Sequence, residues 1–216
     1  MSDVLRRLAE FLGLTFQPPV MAAAIVLVLY LLQAELRFGA KARANIGGAT
    51  DRGSTIVLSL MMLVPVLGFA IVAKGRVPFV GVPLPDWLRW PESIAIAWVG
   101  ACASLLGLLL RLWSVLVLRT RYTRTLLVQD DHTLERKGPY RWVRHPGYLG
   151  SLLCLNGVAL ASGSIVVLAV SLVATLPAYA YRIRSEDAML IGAFGESYER
   201  YRGEVRALIP FLPPRS

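Results

Sequence analysis

Two polar groups flank apolar stretches in the C-terminal half of the chain: the pair His145-Pro146 opens one run, and Arg182, Glu186 and Asp187 follow the end of the next. Arg182 and Glu186 are four residues apart and share a face if this stretch is helical. They either pair with each other as a solvated ion pair or, at a membrane boundary facing a cavity, form part of a site. A proline is favoured at the first helical position, which places His145 at a helix cap. Free N–H groups and the positive end of the helix dipole can hold an anion there. Gly147 and Gly150 leave room for a ligand or for a neighbouring helix. Arg141, Trp142 and Tyr148 in the same stretch also suit a plain interfacial anchor. The density of His, Pro, Tyr and Gly between Gly138 and Gly150 argues for more than an anchor.

Something must bring these groups together, because about forty residues separate them along the chain. Five apolar segments stand out, at 19–36, 54–73, 93–118, 146–161 and 164–181. A helix needs about 20 apolar residues to cross the hydrocarbon core, which the first three supply. The fourth spans only about 24 Å at 1.5 Å per residue. Ser162, Gly163 and Ser164 break the fourth from the fifth, so the two form a helical hairpin with both open ends on one side. That hairpin carries His145 and Glu186 to the same membrane level. The expected fold is an all-α integral membrane protein with about five transmembrane helices, a C-terminal hairpin and a cytosolic amphipathic tail helix. Phe194, Tyr198 and Tyr201 fall on one face of that tail helix. Residues 4–14 are too short and too charged to span; they suit a helix lying on the surface, and they lack the cleavage site of a signal peptide.

Charge fixes the orientation. Of the 23 Lys and Arg residues, 17 lie in 37–53, 119–145 and 182–216, and five lie on the opposite side; Arg111 is inside a span. The C-terminus is therefore expected in the cytosol and the N-terminus outside. The hydrophobic fraction of 56% and the net charge of +9 fit a membrane protein with a basic cytosolic face. Nucleic acid is a poor partner, since the basic residues sit in short loops between spans. Cys102 and Cys154 lie inside apolar runs and read as packing. With only His132 and His145 and no cluster of partners, no metal site is expected. Arg111 and Asn156, polar within spans, are expected to hydrogen-bond between helices.

The run from Gly138 to Gly150, with Arg144-His145-Pro146-x-Tyr148-x-Gly150 at its centre, resembles the isoprenylcysteine carboxyl methyltransferases and related membrane phospholipid methyltransferases. Arg182-x-x-x-Glu186-Asp187, then Phe194-Gly195-x-x-Tyr198-x-x-Tyr201 and Ile209-Pro210, follow in the same order. His132-Thr133-Leu134 sits where the isoprenylcysteine enzymes carry that tripeptide. The resemblance covers roughly the C-terminal 90 residues. It departs at Asp187, where the second Glu of the usual pair stands in the family, and at Val205-Arg206-Ala207 in place of Val-Pro-Arg.

The resemblance implies S-adenosylmethionine as cofactor, held by Gln129, His132, Thr133, Leu134, Glu135, Tyr140, His145, Pro146, Gly147, Tyr148 and Glu186. It makes Arg182 the residue that meets the substrate. On this reading residues 1–118 carry the first three spans, and 119–216 form the catalytic region of cofactor-binding loop, hairpin and tail. The catalytic pair is Arg182, positioning a substrate carboxylate, and Glu186, fixing polar cofactor groups. A carboxylate nucleophile is already ionised, whereas an amine or thiol acceptor needs a base, which Glu186 or Asp187 can supply. The expected partner is a lipidic, membrane-partitioned methyl acceptor, and the expected location is the cytoplasmic membrane, with endoplasmic reticulum as the alternative. N-methylation of a phospholipid amine and S-methylation of a small thiol share this site. A transporter or scaffold accounts for the spans and Arg111 but gives no reason for the paired motifs. A nicotinamide-dependent reductase finds no Gly-x-Gly-x-x-Gly turn.

Overall fold

The structure is a computed structural model describing residues 18–37, 54–73, 94–118 and 134–209. Among the described residues every regular element is helical: α1 (Pro18–Arg37), α2 (Ser54–Ala73), α3 (Ile94–Leu118), a 3-10 turn (Gly138–Arg141), α4 (Pro146–Ala161), α5 (Ile165–Phe194) and α6 (Glu196–Glu204). The N-terminal stretch 4–14 lies outside the described residues.

α3 and α5 are long and apolar enough to cross a membrane by length and composition. At 1.5 Å per residue, the 25 residues of α3 reach about 38 Å, more than the ~30 Å hydrocarbon core. Large apolar side chains point outward along these helices: Leu106 is 63% exposed and Val173 is 75% exposed. Leu29 and Leu32 on α1 and Leu60, Leu63 and Leu67 on α2 do the same. Exposed apolar side chains in this number are stable against lipid and costly against water.

α4 is the hub, packing against α1, α2, α3 and α5. Small residues let α3 approach closely. A Cβ added at Gly107 would lie 2.4 Å from the backbone nitrogen of Cys154, and one at Gly157 would lie 2.5 Å from that of Ser104. Gly100 and Gly150 are equally closed by backbone of the facing helix. The room at Gly150 is thus filled by α3. Such small-residue seams are how helices associate where lipid removes the hydrophobic drive between them. Gly107→Ala therefore forces the two backbones apart, at a cost of about 1–3 kcal/mol. Its thermal unfolding midpoint in detergent should drop by several degrees. Gly192→Ala, where a Cβ meets nothing within 4 Å, should leave the midpoint unchanged or raise it.

The polar residues inside the bundle link helices. Asn156 accepts from the Ser171 hydroxyl (2.8 Å) and donates to Thr175 Oγ1 (3.2 Å), joining α4 to α5. Arg111 donates to Ser151 Oγ (2.7 Å) and the Gly147 carbonyl (3.3 Å), and stacks over the Tyr30 ring, joining α3 to α4 and α1.

α4 and α5 form a hairpin across Ser162–Ser164. Gly163 takes φ +75°, and the Ser164 side chain caps α5 by accepting from the Val167 N–H. α5 does not stop where its apolar part ends near residue 181. It continues through the charged stretch to Phe194, because 182–194 contains good helix formers and no break until Gly195 at φ +53°. Arg182, Glu186 and Asp187 therefore project from the same rigid helix that lines the bundle. The same break at Gly195 corrects the expected tail: Phe194 ends α5, and only Tyr198 and Tyr201 share α6, where both are buried.

Candidate active site

The site is built where α4 starts and where α5 leaves the bundle. His145 caps α4, and its carbonyl accepts from the N–H groups of Tyr148 and Leu149, both at 3.1 Å. The imidazole is 5% exposed and lies between two carboxylates of α5. Its Nε2 is 2.9 Å from Asp187 Oδ1, and its Nδ1 faces Glu186 Oε2 at 3.6 Å. Tyr148, one turn into α4, stacks on the His145 ring with centroids 5.6 Å apart and accepts from Arg182 Nε at 3.1 Å. Four groups named from the sequence, His145, Tyr148, Arg182 and Glu186, thus meet in one cluster.

Asp187 is the most engaged member. Arg144 Nη2 donates to its Oδ2 at 3.0 Å, the Tyr198 hydroxyl donates to its Oδ1 at 2.5 Å, and Arg202 Nε stands 4.0 Å away. Arg144 also donates to the carbonyls of Arg202 and Val205. The backbone N–H groups of Arg144 and His145 bond to the carbonyls of Arg206 and Ala207 at 2.8 and 3.0 Å. Tyr201 donates to the Tyr140 carbonyl, and Arg136 pairs with Glu204. The segment after α5 is therefore tied along its length to the turn that leads into α4. Arg144, Tyr198 and Arg202 were not picked out as site residues from the sequence. The partners of the Arg144 side chain lie 43 to 61 residues away, a distance that no local pattern reports.

The remaining predicted site residues are placed differently. The Tyr140 hydroxyl turns toward the Ser114 carbonyl of α3 (3.5 Å). Pro146 is fully buried, and Gly147 lies against Ser114 of α3, its carbonyl taken by Ser151 and Arg111. Glu135 accepts from the Lys137 N–H at an exposed position, and Leu134 is half-buried beside it. Gln129, His132 and Thr133 lie outside the described residues.

Burial shapes the protonation of this cluster. Desolvation opposes the imidazolium of His145, but the Asp187 and Glu186 carboxylates outweigh it and raise its pKa from 6.5 to about 9. Burial pushes Asp187 up, yet His145, Tyr198 and Arg144 overcome this and bring it down to about 2. Glu186 is likewise held below its ordinary value: burial works against it, and His145, Tyr148 and Arg182 prevail. Both ring nitrogens of His145 face acceptors, an arrangement only the doubly protonated ring satisfies. Because the His145 pKa is raised on folding, its stabilisation is complete below pH 6.5 and is lost as pH rises through about 9. The Asp187 contribution runs the other way, complete above pH 3.8 and lost as pH falls through about 2. Thermal unfolding in detergent should accordingly show a plateau between about pH 4 and 7 and a decline toward pH 10. In His145→Gln the alkaline decline should shrink; a profile identical to that of the unsubstituted protein would show that His145 does not carry it.

One oxygen in the cluster stands out. Glu186 Oε2 is buried and has no hydrogen-bond partner among the described residues, although its side chain is 27% exposed. His145 Nδ1 faces it at 3.6 Å, beyond hydrogen-bond reach, so the ionised oxygen keeps the capacity to accept from a further donor. Residues 98–192 match the isoprenylcysteine carboxyl methyltransferase (ICMT) family. The chain resembles that family over α3, the turn, α4 and most of α5, the stretch that holds every member of the cluster except the α6 residues. Among curated proteins it is similar to a protein-S-isoprenylcysteine O-methyltransferase of Schizosaccharomyces pombe, 36% identical over 83 residues, covering 38% of this chain and 35% of that one. A protein of the same name from Xenopus laevis is 29% identical over 141 residues, 57% of this chain and 44% of that one. The chain thus spans less than half the length of these ICMT relatives. A solved structure of the eukaryotic intramembrane Ras methyltransferase ICMT shares the fold with a TM-score of 0.59 at 19% identity, covering 95% of this chain and 72% of that one.

Proposed function

We propose that this protein is an S-adenosylmethionine-dependent membrane methyltransferase that O-methylates the carboxylate of an isoprenylcysteine-like lipidic substrate. The observation that carries the reading is the meeting of Arg182 and Glu186 around Tyr148, with the Glu186 Oε2 oxygen buried, facing His145 Nδ1 at 3.6 Å and making no hydrogen bond among the described residues. The residues fit the proposed cofactor. A buried, ionised carboxylate suits the hydroxyl or ammonium donors that such a molecule presents, and His145 at the start of α4, with Tyr148 stacked on it, faces the same oxygen. When bound, S-adenosylmethionine supplies a methyl group on a sulfonium, ready for in-line displacement.

The chain's own part is positioning. Glu186 orients the cofactor's polar groups from a helix held rigid by the bundle. Arg182, 3% exposed, carries a fixed positive charge at the same level and orients the acceptor carboxylate by a charge-assisted contact. A carboxylate needs no proton removed, so the protein need not supply a base, and alignment alone contributes about 7–11 kcal/mol to such reactions. Asp187, with its oxygens taken by His145, Tyr198 and Arg144, is poorly placed to accept a substrate proton. Glu186 is then the carboxylate that would serve as base for an amine or a thiol, and this reading gives it to the cofactor instead.

Membrane placement belongs to the same reading. About five helices span, α3 and α5 fully, with the site and the C-terminus on the cytosolic face of the cytoplasmic membrane. The lipid part of the acceptor reaches the site sideways, between helices whose outer faces are apolar. The test is a methyl-transfer assay with labelled S-adenosylmethionine on the purified full chain, offering a prenylcysteine, a phospholipid amine and a small thiol in parallel. Label in the prenylcysteine as a base-labile ester supports the proposal. Label in the amine or thiol alone, or in none of them, overturns it.

A further inference from the structure

Asp187 has no direct role in this proposed chemistry, yet it holds more of the cluster together than any other side chain. Its oxygens engage His145 and Arg144 from the start of α4 and Tyr198 from α6, with Arg202 of α6 close by. Glu186, its neighbour on α5, engages the opposite nitrogen of the same imidazole. We infer, building on the function proposed above, that Asp187 is a positioning residue: by fixing His145 through Nε2 it aims Nδ1 at Glu186 Oε2 and so sets the carboxylate that receives the cofactor.

The chemistry of the ring makes this a directional device. An imidazolium donates from both nitrogens, and here each nitrogen faces a carboxylate oxygen. A neutral ring has only one N–H. Whichever nitrogen keeps it, the other turns a lone pair toward a carboxylate and repels it. Asp187 favours the charged ring and, with Tyr198 and Arg144 pinning its own two oxygens, fixes the ring's orientation. The groups facing His145 are then Glu186 and Asp187 from α5, Tyr148 stacked from α4, and Arg144 beside it in sequence. Tyr198 and Arg202 of α6 act through Asp187, and Arg182 of α5 acts through Tyr148. The α6 segment thereby reaches Glu186 through two side chains, without touching it.

A role of this kind predicts a dependence on the proton that simple structural support does not. The histidine ring nitrogens of the cofactor-free full chain can be followed by NMR with 15N-labelled histidine; there are two histidines, and a His132→Gln variant assigns them. The His145 midpoint should lie at or above pH 8, and Asp187→Asn should lower it by more than one pH unit. Binding of S-adenosylmethionine by calorimetry should weaken at least tenfold in Asp187→Asn at pH 8, and less than threefold at pH 6, where the ring is protonated in both proteins. A wild-type midpoint below pH 7, a midpoint unmoved by the substitution, or an equal loss of affinity at both pH values overturns the inference. If Asp187→Asn does not fold, the wild-type midpoint alone decides. Failure of the unsubstituted protein to bind S-adenosylmethionine sinks the proposed function instead, and leaves the titration as an independent test of the positioning.

Discussion

Glu186→Ala should abolish detectable binding of S-adenosylmethionine to the purified full chain in detergent, a loss of at least a hundredfold by calorimetry. The reason lies in what the carboxylate gives up. Its Oε2 oxygen is buried and lacks a donor among the described residues, so whatever polar group it accepts from makes a charge-assisted bond at a desolvated position. Hydrogen bonds to charged groups contribute about 1.5–3 kcal/mol each, and two of them account for the hundredfold or more. The substitution also removes one of the two carboxylates that favour the His145 imidazolium, so the ring beside the vacated space changes its protonation too. Glu186→Gln separates the two effects. It keeps the size and one acceptor oxygen but no charge, so it should bind more weakly than the unsubstituted protein and more tightly than the alanine variant. Circular dichroism and the unfolding midpoint should show both variants folded, since α5 is anchored by its apolar length rather than by Glu186. Affinity within threefold of the unsubstituted protein in Glu186→Ala would remove this residue from the cofactor site.

Much of this arrangement was legible before any coordinates. The apolar runs at 54–73 and 146–161 coincide with α2 and α4, because composition over sixteen or more residues leaves a helix as the only way to satisfy the backbone in lipid. The Ser162-Gly163-Ser164 break specified the hairpin, and the hairpin placed His145 near Glu186. Where the reading fell short, the signal was long-range or was hidden by a change of environment. The apolar run ends near residue 181, and the helix face shared by Arg182 and Glu186 already pointed to helix beyond it; where that helix stops, at Gly195, hydropathy does not report. Hydropathy reports where lipid ends, not where a helix ends. The role of Asp187 was invisible for another reason. From the sequence it is a shorter acid next to a Glu, and only the fold shows that its shorter reach meets Arg144, His145 and Tyr198 together. Periodicity placed Tyr198 on one face of the tail helix, but its hydroxyl ends on Asp187, a polar contact that hydrophobic periodicity cannot register. Gly147 left two readings open, a ligand or a neighbouring helix; the structure sets it against α3, with its carbonyl already accepting from Ser151 and Arg111.

Arg182→Ala should lower kcat/KM for a prenylcysteine acceptor by about a thousandfold while changing S-adenosylmethionine affinity less than tenfold. About 4 kcal/mol of transition-state stabilisation is at stake, the scale of a buried charge that orients an ionised nucleophile. Arg182 is 3% exposed, so its charge acts in a medium that screens it little, and Tyr148 holds its Nε at 3.1 Å. That contact fixes the plane of the guanidinium and leaves the acceptor to meet a pre-set fork rather than a flexible cation. Two consequences separate this role from mere support of Tyr148. Arg182→Lys keeps the charge but not the planar fork, and should recover no more than a tenth of the lost activity. Tyr148→Phe removes the hydroxyl that Arg182 contacts but keeps the ring on His145, and should raise KM for the acceptor more than it weakens the cofactor. The initial-rate experiment varies the acceptor at saturating cofactor and the cofactor at saturating acceptor for all three variants. If Arg182→Ala loses cofactor affinity in proportion to its rate and spares KM for the acceptor, Arg182 belongs to the cofactor's half of the site and the acceptor carboxylate must find its cation elsewhere.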